Sequence, residues 1–259
     1  MKFFRLFSKP LFTVSTSGNS GMRDILINKL KKIDKNNKEK LVSQIFSDVS
    51  DKYDIMNDLM SFGLHRIWKN NLVDLIKLSP EKVILDLATG SGDIIKIIKK
   101  RSECLCLGYD SNLDMINEAK KKNLKNAFFV CGKSEEMPFS KNTFDYVIVS
   151  FGLRNFSDMD KSLKEVFRIL KPSGKFLCLE FSQINNPLLS KLFNIYNKII
   201  PKYGKFLSKN ELAYKYLIKS IEIFPNQIKL SKKLLKSGFR KIEVFDIIDG
   251  LSSIHVAKK

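Results

Sequence analysis

The residues of this chain whose types and spacing could do chemistry begin in the stretch Lys82-Val-Ile-Leu-Asp-Leu-Ala-Thr-Gly-Ser-Gly-Asp93. Apolar, β-favouring positions lead into Asp86, glycines stand at 90 and 92, and Ile94, Ile95, Ile97 and Ile98 follow at helical spacing. The pattern reads as strand, glycine turn, helix. Glycine has no Cβ and reaches positive φ, so such a turn lets backbone approach a ligand closely. In open α/β sheets ligands sit beyond the carboxyl ends of the strands. Gly90 and Gly92 would floor such a site, with Asp86 and Asp93 around it. A further acid, Asp110, ends the strand pattern Cys104-Leu-Cys-Leu-Gly-Tyr109. It follows the glycines by roughly 20 residues, the spacing at which a carboxylate takes both hydroxyls of a ribose. Asp110 or Ser111 would also suit the cap of a helix beginning at Leu113.

The choice is then between a dinucleotide and a methyl donor. A nicotinamide fingerprint has a third glycine or alanine and seats a pyrophosphate on the helix N-terminus. Here Ile95 holds the third position, and Asp93 would repel a diphosphate. An acid suits the cationic amino and sulfonium end of S-adenosylmethionine instead. Four cysteines, two histidines and no Cys-x-x-Cys spacing argue against a zinc site. Cys104, Cys106, Cys131 and Cys178 read as buried free thiols of a reducing compartment.

Two other groups of residues could work on a substrate. The loop Phe151-Gly-Leu-Arg-Asn155 follows the strand pattern that ends at Ser150, on the same face as the glycine turn. An arginine there is costly unless exposed or paired, and Glu180, near the end of the fifth strand, has the same status. Upstream, Tyr53-Asp-Ile-Met-Asn-Asp-Leu-Met-Ser-Phe-Gly-Leu-His-Arg-Ile-Trp68 sets Tyr53, Asp54, Asn57, His65 and Arg66 among Met and Phe. An active-site wall and a packed helical hairpin both fit that composition.

The elements that must position these residues form a βα series. Strands are expected over 83–87, 104–109, 127–131, 143–150 and 175–181, with helices over 93–100, 113–122 and 159–170. Repeated βα units argue for a parallel sheet. Residues 187–225 leave that rhythm: Leu188, Leu189, Leu192, Phe193 and Tyr196 recur at helical spacing, and a second helix is expected over 211–223. Such an insert can cover a pocket and suit a greasy substrate; a packed helix pair fits equally. A helix over 227–236 and strands over 241–248 and 252–257 close the chain.

At 259 residues with 44% hydrophobic content, one α/β domain with helical additions is expected. No apolar run reaches the roughly 18 residues of a membrane span. The net charge of +19 comes from lysine spread along the chain, so it favours acidic surfaces without choosing a substrate. Residues 1–23 carry Lys2, Arg5, Lys9 and Arg23 and no acid. With their interleaved Phe and Leu and a Ser/Thr/Gly stretch, they read as a mitochondrial presequence. The expected division is a basic segment and connector over 1–38 and a catalytic domain over 39–259.

Taken together, four stretches resemble the ubiquinone/menaquinone biosynthesis C-methyltransferase (UbiE) family, a branch of the class I S-adenosylmethionine methyltransferases. They are Tyr53 to Trp68, Ser150-Phe-Gly-Leu-Arg-Asn155, Arg168-Ile-Leu-Lys-Pro-Ser-Gly-Lys-Phe-Leu-Cys-Leu-Glu-Phe181, and Tyr214-x-Tyr-Leu-x-x-Ser-Ile-x-x-Phe-Pro-x-Gln227. The resemblance implies a Rossmann-like, mostly parallel seven-stranded sheet with an antiparallel last strand. It implies cofactor contacts at Ser91, Asp110, Lys133, Ser134 and Ser150, and ring C-methylation of a polyprenylated benzoquinol or naphthoquinol. Arg154 and Asn155 would handle the proton lost from the ring, with Tyr53, Asp54 and His65 in support. The chain departs from the family at Thr89, at Lys133-Ser134 and at Ser173, where glycine is usual and serine is tolerable if φ is negative.

The presequence-like start tilts the reading to 2-methoxy-6-polyprenyl-1,4-benzoquinol in ubiquinone synthesis over demethylmenaquinol. The expected setting is the matrix side of the mitochondrial inner membrane, or the bacterial cytoplasm if the first segment is no presequence. Partners implied are the quinol, the membrane surface, a ubiquinone-biosynthesis complex and a second copy in a homodimer, with no nucleic acid. The rivals are a methyltransferase of another lipid or of RNA, and a non-catalytic subunit that keeps the cofactor.

Overall fold

The computed structural model describes residues 63–187 and 211–259, together with Asp58, Ser61, Lys191 and Phe193. Tyr53, Asp54, Asn57, the basic segment and most of the insert lie outside the described residues. In order, the elements are α1 (His65–Asp74), β1 (Val83–Leu87), α2 (Asp93–Lys99), β2 (Leu105–Asp110), α3 (Leu113–Lys121), β3 (Ala127–Cys131) and β4 (Phe144–Ser150). A 3-10 turn (Leu153–Asn155), α4 (Met159–Ile169), β5 (Leu170–Phe181), α5 (Glu211–Ile223), α6 (Gln227–Lys236), β6 (Lys241–Ile247) and β7 (Ser252–Lys258) follow.

The strands form one seven-stranded sheet in the order β3-β2-β1-β4-β5-β7-β6. β1, β2, β3, β4 and β5 pair in parallel, and β7 runs antiparallel between β5 and β6. This is the expected class I architecture. Its connectivity reverses between β1 and β4, and the crevice at such a reversal is where ligands of doubly wound sheets bind.

Two-residue alternation divides the sheet's core. Ile84, Ile148, Leu177 and Leu179 face a layer built from α1 and α2, through Trp68, Leu72, Val73, Ile94, Ile95 and Ile98, with Tyr216 and Leu217 of α5 added. Leu85, Val147, Val149, Phe176 and Cys178 face Leu163, Val166 and Ile169 of α4 and Leu230 and Leu234 of α6. Each strand thus fixes its register by burying different residues on its two faces, since a one-residue slip would exchange them. Both layers leave the carboxyl edge of the sheet open at β1 and β4.

Four expectations are corrected. The cap of α3 is Asn112, whose side chain accepts from the N–H of Asp114 and Met115, because its amide oxygen reaches two orphan donors at once. Ser173 has φ +64, not a negative φ, as the tight bend inside β5 requires a left-handed residue where glycine would be unstrained. β5 itself begins at Leu170, earlier than expected, since Phe144 pairs with Leu170 across a register shift. Cys131 is exposed while the other three thiols are buried; it ends the edge strand β3, which has a neighbour on one side.

Candidate cofactor cleft and the wall behind it

The turn after β1 is left-handed at Ala88, Gly90 and Gly92, with φ of 56, 53 and 81. A Cβ on Gly92 would stand 3.1 Å from the Phe129 ring and 3.3 Å from Ala119, so both conformation and space call for glycine there. Asp110 ties this turn to β2. Its Oδ2 accepts from Gly90 N–H at 2.9 Å and its Oδ1 from Asn112 N–H at 2.9 Å. Because Asn112 takes the capping role, Asp110 faces the crevice, and burial pushes its carboxyl above the usual range.

Two adjoining clefts share Ala88 and Gly90. The larger holds about 810 Å³ of empty space, its open mouth included, and is lined by Leu87, Tyr109, Asp110, Met115, Lys133, Ser134, Phe151, Gly152 and Asn155 among others. The smaller, about 310 Å³, is lined by Lys69, Asp86, Thr89, Ser91, Asp93, Ile94 and Ser150 besides the shared pair. An apolar chamber with a few convergent polar groups, continuous with a charged one, is the form of a cofactor site.

The charges in the smaller cleft are unequal. Burial acts to raise the Asp93 carboxyl, but Lys69 Nζ at 3.0 Å and Lys122 Nζ at 2.9 Å outweigh it and hold the group well below the usual range. Asp93 is therefore neutralised by the chain's own lysines, and the repulsion or attraction expected of it is cancelled. Asp86 is 1% exposed. Thr89 Oγ1 donates to its Oδ2 at 2.5 Å, while burial pushes its carboxyl up to about 7. Ser150 Oγ is buried with no hydrogen-bond partner among the described residues. A buried hydroxyl left open at a cleft wall marks a place where a ligand atom belongs.

Behind the clefts lies a second polar group. Arg154 and Glu180 have side chains 1% exposed, and Arg154 Nη1 donates to Glu180 Oε2 at 2.7 Å and to the Phe151 carbonyl at 2.6 Å. Glu180 also accepts from the backbone N–H of Arg154 and of Phe181, both at 3.2 Å. Burial raises its carboxyl against the pull of Arg154. Arg154 Nε has no partner among the described residues. Tyr216, from α5, donates its hydroxyl to Asn155 Oδ1 at 3.1 Å, and burial pushes its phenol up to about 12. Asn155 thus joins the cleft to α5.

The profile of the ubiE/COQ5 methyltransferase family matches residues 33–259. The chain is 44% identical over 241 residues to the ubiquinone/menaquinone biosynthesis C-methyltransferase UbiE of Rickettsia bellii, covering 88% of this chain and 96% of that one. It is 45% identical over 231 residues to UbiE of Wigglesworthia glossinidia brevipalpis, covering 86% and 92%. The chain belongs to the ubiE/COQ5 methyltransferase family. Among solved structures, its fold resembles a phosphoethanolamine N-methyltransferase of Haemonchus contortus in complex with S-adenosyl-L-methionine (TM-score 0.57, 18% identity, 74% of this chain and 52% of that one). It also resembles a SAM-dependent methyltransferase of Aquifex aeolicus (TM-score 0.55, 17% identity, 75% and 91%).

This ubiE/COQ5-family enzyme is a methyltransferase, and its cofactor is S-adenosylmethionine. The clefts fit that molecule: Asp110 beside the apolar larger cleft suits an adenosine, and the open Ser150 hydroxyl and the acid Asp86 suit its cationic amino-acid end. Of the residues expected at the site, Gly90, Asp110, Lys133 and Ser134 line the larger cleft, and Asp86, Ser91, Asp93 and Ser150 the smaller. Gly92 lines neither and sets the turn. Asn155 lines the larger cleft, whereas Arg154 is buried behind it. His65 lines neither; its Nε2 meets Asp58 Oδ1 at 2.8 Å, and Arg66 joins the same carboxylate. Tyr53 and Asp54 lie outside the described residues.

Lys69 escaped the sequence reading. The signal was present: His65, Trp68, Lys69, Leu72 and Val73 are the buried residues of α1, spaced three and four apart, so Lys69 stands on the inward stripe. A lysine on that stripe needs a buried partner, and Asp93 is the one. Thr89, a departure from the family's usual glycine, supplies the hydroxyl that Asp86 accepts.

Proposed function

We propose that the enzyme methylates a ring carbon of a polyprenylated benzoquinol in ubiquinone biosynthesis. Membership of a family whose relatives carry ubiquinone and menaquinone biosynthesis in their names supports a quinol acceptor. The choice of benzoquinol rests on the presequence-like composition of residues 1–23, and with it a mitochondrial, matrix-side location. Contact with the inner-membrane surface, with a biosynthetic complex and with a second copy belongs to the same proposal. Among the described residues no helix is long and apolar enough to cross a membrane.

The bound cofactor supplies an electrophilic methyl group. The chain's own part is to hold an aromatic diol beside it, with the nucleophilic carbon ortho to a hydroxyl. Only the reduced ring, best as phenolate, feeds density to that carbon, and holding the two reactants together supplies much of the acceleration. Arg154 remains protonated in a protein, so its role is to stabilise the ring oxygen or align a water rather than to act as base. Asn155, held by Tyr216, orients the neighbouring wall, and α5, which carries Tyr216, covers the ring and the greasy tail.

The observation that carries the reading is the paired cleft, with an open serine hydroxyl lining one part, Asn155 lining the other and Arg154 buried behind it. The test is turnover of purified enzyme on short-tailed benzoquinol and demethylnaphthoquinol, each reduced, with methylated product read by mass spectrometry. Benzoquinol turnover at least tenfold faster supports the proposal. Preference for the naphthoquinol overturns the ubiquinone assignment and leaves the methyltransferase.

A further inference from the structure

S-Adenosylmethionine brings a sulfonium cation into the clefts, and Arg154 hangs from the loop after β4, whose Phe151, Gly152 and Asn155 line the larger of them. The guanidinium keeps its proton in proteins. With a side chain only 1% exposed, it is poorly screened by solvent ions. Two like charges about 10 Å apart at an effective dielectric of about 20 repel enough to weaken binding roughly ten- to twentyfold. A buried arginine beside this cofactor is therefore a liability unless something cancels it.

We propose that Glu180 is the positioning residue that makes the cleft accept a cationic donor: it neutralises Arg154 and so sets the preference for S-adenosylmethionine over its neutral thioether product, S-adenosylhomocysteine. Glu180 is suited to this because every group meeting its carboxylate is a donor. Arg154 Nη1 stands 2.7 Å from Oε2, and the N–H groups of Arg154 and Phe181 each stand 3.2 Å from an oxygen. None of these could accept a carboxylic proton, so each favours the ionised form against the burial that raises the carboxyl. The Arg154 guanidinium directs Nη1 to Glu180 and to the Phe151 carbonyl, and its Nε has no partner among the described residues. Paired in this way, Arg154 adds no net charge beside the clefts. In the smaller cleft, Lys69 and Lys122 cancel Asp93, while Asp86 accepts from the neutral Thr89 hydroxyl.

The inference rests on the cofactor and not on the quinol, so its failure and that of the proposed substrate are separable. The test is calorimetric titration of the intact protein with S-adenosylmethionine and, separately, S-adenosylhomocysteine. Glu180→Gln is expected to lower the ratio of the two affinities about tenfold, almost all of it lost from the sulfonium. Glu180→Asp, which keeps the charge, is expected to retain the wild-type ratio. A Glu180→Gln protein that weakens both ligands by one factor, or neither, would reduce Glu180 to a purely structural partner and overturn the proposal. Should that single variant fail to fold, Arg154→Gln with Glu180 in place decides: an uncancelled carboxylate is expected to raise the ratio in favour of the sulfonium about tenfold, and an unchanged ratio would sink the idea.

Discussion

Asp86 and Glu180 are two carboxylates of almost equal burial, at 1% and 0% exposure, near the carboxyl ends of the strands on either side of β4. Glu180 is filled by one guanidinium contact and two backbone donors. Asp86 receives one neutral hydroxyl, from Thr89, and its carboxyl rises to about 7. The same burial thus produces a closed group in one place and an open one in the other. A chain that satisfies nearly all its buried polar groups leaves them open where a ligand completes them. The β1 turn is in that sense unfinished, and the β5 wall is not.

The largest effect that would test this contrast comes from Arg154→Ala. It removes the cation from a buried carboxylate, and thermal or urea denaturation is expected to show a loss of about 3–5 kcal/mol. A loss below about 1 kcal/mol would mean that the pair is not closed in the sense argued.

Asp86→Asn is expected to act in the opposite direction on the cofactor-free protein. A carboxyl raised from 3.8 to about 7 in the fold favours the folded state fully only below pH 4, and that contribution disappears as pH rises to 7. The asparagine variant has no such titration. Relative to wild type it should gain on the order of 2–4 kcal/mol between pH 4 and pH 7 and stay level above. Its affinity for S-adenosylmethionine should fall. Parallel pH profiles of wild type and variant would show that Asp86 is not held open.

Gly92→Ala tests the backbone of the unfinished turn. The left-handed φ and the Phe129 ring at 3.1 Å predict a loss of about 1–2 kcal/mol in chemical denaturation, and unchanged stability would argue for a turn that relaxes freely.

The smallest effect should come from Ser150→Ala. Deleting a buried hydroxyl that has no partner should leave the cofactor-free protein within about 0.5 kcal/mol of wild type, while calorimetry shows cofactor binding weakened about fivefold. Equal binding would remove Ser150 from the site.

Much of the architecture was legible along the chain. The near-continuous apolar run in Phe144–Ser150, as of a strand buried on both faces, and the three-and-four spacing in Met159–Ile169 are local patterns, so each element could be read from its own residues. The site was legible where local backbone demands a residue type, as at Gly90 and Gly92. Three features were not. Asn112 and not Asp110 caps α3, because both can reach the free N–H groups and only the placement of β1 beside β2 draws Asp110 to Gly90. Ser173 sits at positive φ because the bend in β5 imposes it. Cys131 is exposed because β3 lies at the sheet's edge, and strand order is not written in any one strand.

The sequence by itself determined the βα rhythm, the glycine turn and the family, since these depend on periodicities and residue types within a few positions. Tertiary structure decided which charges remain available. Asp93 looked like an acid awaiting a cation until α1 brought Lys69 and α3 was followed by Lys122, and whether Arg154 was exposed or paired stayed open until β5 set Glu180 against it. Electrostatic state is a property of distances between residues remote in sequence and of the burial that strengthens their interaction, and folding supplies both.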